Sequence, residues 1–152
     1  MIEAPRNETN SPWWPKYIAE HEACHAVVAM KMGLPVEWVT VEAGFDEGIH
    51  FPAAVKIPDD KIDRERDLLA ICVATAAPSH IITHIHVAPS LYHYAHLEAQ
   101  GAYKMAEAAG IEFDEVYDLS VNAVDEHWVE IIELAERLEA EGKVVFDVAD
   151  EH

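Results

Sequence analysis

Apolar residues recur at helical spacing from Pro15 to Met32, mixed with the small residues Ala19, Ala23, Ala26 and Ala29. Pro15 suits a first helical turn and Gly33-Leu34-Pro35 ends the pattern, so a helix is predicted over residues 15–32. The period then changes: Val36 to Ala43 ("VEWVTVEA") alternates apolar and polar positions as a strand does. A turn ("GFDEG") follows, and "IHFPAAVKI" can pair back as a second strand, which Pro52 marks as an edge strand. Helical spacing resumes over Ile62 to Ala77 and breaks near Pro78; a histidine-rich connection ends at Pro89. Ser90 to Ala109 predicts another helix, closed by Gly110. A last helix, starting near Phe113 or Val121, runs to Glu141 with Trp128, Ile131, Ile132, Ala135 and Leu138 on one side, and stops at Gly142. This order predicts an α+β, mainly helical fold with a small β-hairpin and edge sheet and a C-terminal helical bundle. No internal repeat or low-complexity linker divides it, so a single domain over residues 1–152 is expected.

Composition narrows the function classes. With 51% hydrophobic residues the chain can build one real core. Twenty-nine acids against 10 Lys plus Arg give a formal charge of −19, which repels phosphate backbones and anionic lipid surfaces. Nucleic acid is therefore a poor partner. The acids after Glu112 read as a solvated helix face. The longest uncharged run, Leu68 to Ala95, is interrupted by histidines and two prolines and lacks the ~20 apolar residues of a bilayer span. The N-terminus has no basic stretch followed by an apolar one, so no signal peptide is read. A soluble, cytoplasmic protein is expected. Cys24 and Cys72 are too few for a disulfide scaffold and lie in apolar segments, as buried thiols do.

Against this background the run "IAEHEACHAVVA" (Ile18 to Ala29) stands out, because two histidines and a glutamate interrupt a core-facing helix. His21 and His25 are four apart and project from one face, one turn apart, as two ligands of a tetrahedral zinc do. Glu22, beside the first of them, is placed to take a proton from a water activated by the metal. This is an HExxH arrangement, His21-Glu22-Ala23-Cys24-His25, on a zincin-like helix. The edge strand that follows could hold an extended peptide by main-chain hydrogen bonds.

The segment "YIAEHEACHAVVAMKMGLPVEWVTVEAG" resembles the zinc-site segment of the FtsH-type metallopeptidases, whose usual form is HEAGHA(L/V)VA followed by an apolar tail and a V-T-(I/V) strand. More weakly, "LLAICVATAAP" (Leu68 to Pro78) stands at the family's "LAGRAAE" helix, without its arginine or glutamate. "LEAQGAYKMAEAAG" (Leu97 to Gly110) resembles the helix that carries the third zinc ligand, an aspartate with Ala at +4 and an apolar-Ala pair at +7 and +8. Placing Glu98 there gives Ala102, Met105 and Ala106 at those offsets. His96 is the alternative, with the poorer match Gln100, Tyr103 and Lys104. The resemblance thus implies a zinc metallopeptidase with His21, His25 and Glu98 as ligands and Glu22 as general base. It also implies a short stand-alone member without the ATPase module, closed by "HWVEIIELAERLEAEGKV". Without a motor, its substrates would be peptides or flexible protein segments, or proteins presented by a partner; a homo-oligomer is left open. Cys24 replaces the family's glycine and puts a thiol near the metal.

Two other classes compete: a catalytically degenerate zinc-binding regulatory module, motivated by "ATAAPSH" and Cys24, and a metal-free interaction protein in which the motif is accidental. The other histidines, His80, His84 and His86 with His93 and His96, could form a second metal site; a polar loop bordering the cleft is the simpler account. His50 on the edge strand could face substrate or lie exposed. Trp13 and Trp14 could cover the start of the first helix or form a partner patch.

Overall fold

In the computed structural model, residues 14–42, 44–46, 49–51, 54–83 and 89–146 are described, with side chains described for 17–42, 55–58, 60–80 and 96–146. Trp13, Trp14, His50, Pro52, His84, His86 and His93 lie, as side chains, outside them. The architecture is α+β and mainly helical.

The first helix, α1 (Trp14–Lys31), is enclosed on nearly all sides: Ile18, Ala19, Ala23, Cys24, Ala26, Val27, Val28 and Ala29 are buried. Its small residues permit that, because neighbouring helices can approach a surface of alanines closely. It ends as the sequence predicts. Gly33 has φ 90° and the Leu34 N–H donates to the Ala29 carbonyl at 2.9 Å, which satisfies a terminal carbonyl and turns Leu34 into the core.

The predicted hairpin forms in two ladders. β1 (Trp38–Thr40) pairs antiparallel with β4 (Ala54–Lys56), Val39 opposite Val55, while β2 (Gly44–Asp46) and β3 (Ile49–Phe51) pair separately nearer the tip. A strand absent from the sequence prediction, β5 (Lys143–Val145), pairs with the other side of β1, giving the order β4-β1-β5. β1 is therefore the centre, with Val39 and Val144 buried and β4 at an edge.

A 3-10 turn (Asp59–Lys61) leads to α2 (Arg64–Ala76), which begins two residues after the predicted Ile62 because Asp63 caps it. The Asp63 carboxylate accepts from the Arg66 N–H at 3.2 Å and Asp67 accepts from the Asp63 N–H at 2.9 Å. This is a reciprocal N-terminal cap. A 3-10 segment (Ala77–Thr83) takes the place of the predicted break at Pro78. α3 (Pro89–Ala109) packs on α2. The predicted last helix is two, α4 (Phe113–Glu126) and α5 (Trp128–Glu141), separated at His127. The buried positions Val116, Ser120, Val124, Ile131, Ala135 and Leu138 keep helical spacing through the break, and no glycine or proline marks it, so the pattern alone could not show it. α5 packs mainly on α1.

Gly142 joins α5 to the sheet. It has φ 81°, and its carbonyl accepts from the Val41 N–H at 2.9 Å and the Thr40 hydroxyl at 3.1 Å. A Cβ here would lie 2.7 Å from Glu42 Oε2. Gly142→Ala is expected to cost about 1–2 kcal/mol of stability, since an L residue at this φ is strained. Urea denaturation would read it; a loss below a few tenths of a kcal/mol would mean the junction adapts without strain.

Candidate metal centre

The helical spacing of α1 brings His21 and His25 together, with ring centroids 5.1 Å apart and an interplanar angle of 79°. α3, packed on α2 and the 3-10 segment, delivers Glu98 to both imidazoles. The His21 Nε2–H donates to Glu98 Oε1 at 2.8 Å, and His25 Nε2 forms an ion pair with Glu98 Oε2. One donor atom from each of His21, His25 and Glu98 lies within 4.8 Å of the others, a group that could hold a metal ion.

The ring of His25 is fixed from behind. Its Nδ1–H donates to the Ala74 carbonyl of α2 at 2.9 Å, which leaves Nε2 to face Glu98. This is the support that metal-ligating histidines commonly have on their second nitrogen. Ala74 was not among the sequence-derived site residues; a backbone acceptor leaves no signature in the residue type.

Electrostatics bind the three groups closely. Burial works against the His25 imidazolium, but the Glu98 carboxylate outweighs it and raises the pKa to about 9. Burial likewise works against the Glu98 carboxylate, yet the His25 charge and the hydrogen bonds from His21 and His25 hold it far below the usual carboxylate range. Two imidazoles and one carboxylate form a donor set of the kind that catalytic zinc uses, so the residues present fit a bound metal.

Glu22 is 7% exposed and its Oε2 lies 3.8 Å from His21 Nε2. It lines, with His25 and Glu98, a cleft whose other walls come from α1, α2 and the β4 strand with its continuation. Burial, opposed by His21 and His25 and assisted by Glu98, pushes the Glu22 carboxyl up. A carboxyl so shifted is easier to protonate in mid-reaction than an exposed one.

The remaining candidates fall elsewhere. His96 is exposed and accepts from the Gln100 amide at 3.2 Å, away from the cluster. His80 is buried and donates from Nε2 to the Ser120 hydroxyl at 2.7 Å, whose own hydrogen goes to the Tyr117 carbonyl at 2.8 Å; its ring also meets Tyr117 edge-on. His80 thus ties the 3-10 segment to α4. Cys24 and Cys72 are buried and free. Burial, with Glu98 and Glu22 adding to it, keeps Cys24 a neutral thiol, and it is not part of the donor group. No protein-family model matches the chain, and no curated protein sequence matches it.

Proposed function

We propose that the chain is a zinc-dependent endopeptidase of the FtsH type that hydrolyses peptide bonds in flexible segments. The observation that carries this reading is the meeting of the His21–His25–Glu98 donor group with a second, buried carboxyl, Glu22, on one cleft. A two-histidine, one-carboxylate set also suits ferrous iron. What favours hydrolysis is Glu22, a proton acceptor beside the donors with its affinity for protons raised.

His21, His25 and Glu98 would hold the ion, and the Ala74 carbonyl would keep His25 in the ligating orientation. When bound, zinc supplies a Lewis acid that polarises a peptide carbonyl and lowers the pKa of water towards ~7. Glu22 takes a proton from the attacking water and delivers it to the leaving amine. β4, an edge strand whose Val55 lines the cleft, offers main-chain groups to an extended peptide. Such a strand needs an unfolded segment, which is why peptides and flexible or partner-presented proteins are the expected substrates. Among the described residues no helix is long and apolar enough to cross a membrane. Two buried free thiols suit a reducing compartment, and we place the protein in the cytoplasm.

The test is hydrolysis of an unstructured peptide by the protein before chelation, after it, and after zinc is restored. Activity that disappears with the metal and returns with zinc supports the reading. One zinc per chain without hydrolysis of any unstructured peptide replaces it with the zinc-binding regulatory module.

A further inference from the structure

The cleft that opens on Glu22, His25 and Glu98 encloses about 350 Å³, and most of its lining belongs to no part of the proposed chemistry. Ala29 and Leu34 form one side, Val55 and Ile57 a second, and Ile71 and Thr75 a third. We propose that this wall is a specificity pocket for an aliphatic side chain on the residue adjoining the scissile bond, with Ala29 and Ile71 setting its size. The proposal rests on the peptidase reading and names its substrate class.

Three features support it. Ala29 follows His25 by four residues on α1 and so lies on the same face, one turn (~5.4 Å) further along; a group packed over Ala29 adjoins the donor cluster. Ile71 and Thr75 are likewise one turn apart on α2 and flank Ala74, whose carbonyl holds His25. The wall is therefore built on the elements that position the centre. Its volume is at the lower end of the ~300–1,000 Å³ range of ligand pockets, suited to one side chain with its backbone rather than a folded partner.

The chemistry of the wall disfavours an anionic occupant. Among the described residues no lysine or arginine lines it, and the charged groups that do are Glu22, Glu98 and His25, the last already paired with Glu98. The Thr75 hydroxyl spends its hydrogen on the Ile71 carbonyl at 2.7 Å, so its oxygen can only accept. An aspartate would meet two carboxylates and, among the described residues, no side-chain donor from the wall. An aliphatic group needs neither.

The experiment uses unstructured peptides that differ only at the residue adjoining the scissile bond: Gly, Ala, Val, Leu, Phe or Asp. With zinc-loaded protein, kcat/KM for Val or Leu is expected to exceed that for Ala by at least about tenfold, the scale of one or two methylenes in an apolar pocket, with Asp lowest. Ala29→Leu should reverse the order of Leu and Ala, and Ile71→Ala should extend acceptance to Phe. Zinc content and Tm of each variant separate a changed pocket from a damaged fold; if Ala29→Leu fails these controls, Ile71→Ala carries the test. The same peptides are titrated onto zinc-loaded Glu22→Gln protein. Hydrolysis with a flat or polar preference overturns the pocket and leaves the peptidase reading standing. Aliphatic-ranked binding without hydrolysis by the wild type keeps the pocket and overturns the peptidase. Neither hydrolysis nor ranked binding overturns both.

Discussion

Zinc-loaded Glu22→Gln protein is expected to keep its metal and its fold while losing about 10²–10⁴-fold in kcat, the usual contribution of a positioned general base. Glutamine has the shape of the glutamate it replaces, but its amide cannot hold a proton in transit. Glu22 lies outside the group of donor atoms, so metal content should not change. Stability should not fall either. Burial raises the Glu22 pKa, which means that the fold disfavours its charged form; above the carboxyl's ordinary 4.5 this costs stability, and a neutral amide removes the cost. The metal-free Gln protein should therefore melt at the same temperature as the metal-free wild type near pH 4 and at or above it near pH 8. Initial rates, zinc per chain and Tm at the two pH values check these points together. Hydrolysis within a few-fold of wild type would remove Glu22 from the reaction. A large loss of zinc would make it a ligand.

How much of this centre was legible in the sequence depends on how far apart its parts lie along the chain. His21, Glu22 and His25 share two turns of one helix, and helical periodicity alone places both imidazoles on one face. Glu98 is 77 residues from His21, and no local rule links them. It could be named only because its helix resembled a known one, and what brings it into place is the packing of α3 on α2 and the 3-10 segment. The Ala74 carbonyl and the Ser120 partner of His80 were invisible for another reason: any residue has a carbonyl, and a serine inside an amphipathic helix has no distinctive neighbourhood until the fold is known. The sheet shows the same division. The pairing of β1 with β4 follows from alternation around a short turn, whereas β5 lies about a hundred residues further on and only three residues long, after a glycine that reads simply as a helix stop. The division at His127 left no trace because buried positions remain in phase across it.

Zinc affinity is expected to rise by about tenfold per pH unit between pH 6.5 and 8.5 and to level off above pH 9. In the metal-free protein His25 holds its proton up to about pH 9, because Glu98 stands against it, and an imidazolium cannot ligate. Zinc must displace that proton, and each unit of pH below the His25 pKa costs a factor of ten. The same shifts set the stability of the metal-free fold. His25, raised in the folded state, contributes fully below its ordinary 6.5 and loses that contribution as pH climbs through about 9. Glu98, lowered in the folded state, contributes fully above its ordinary 4.5 and loses that contribution in acid. The metal-free protein should therefore gain most from this pair between pH 4.5 and 6.5, and zinc should restore stability on the alkaline side, where the ion replaces the proton. Competition with a chromophoric chelator across this range, beside zinc content for wild type, His25→Ala and Glu98→Ala, reads the whole argument. About one zinc in the wild type and its loss in both variants fits the three-ligand centre. Loss in His25→Ala alone would move the third ligand away from Glu98, to His96 or a neighbouring histidine. Affinity that does not change between pH 6.5 and 8.5 would show that no proton is displaced and that His25 is already neutral across this range, leaving its role as a ligand to the His25→Ala protein.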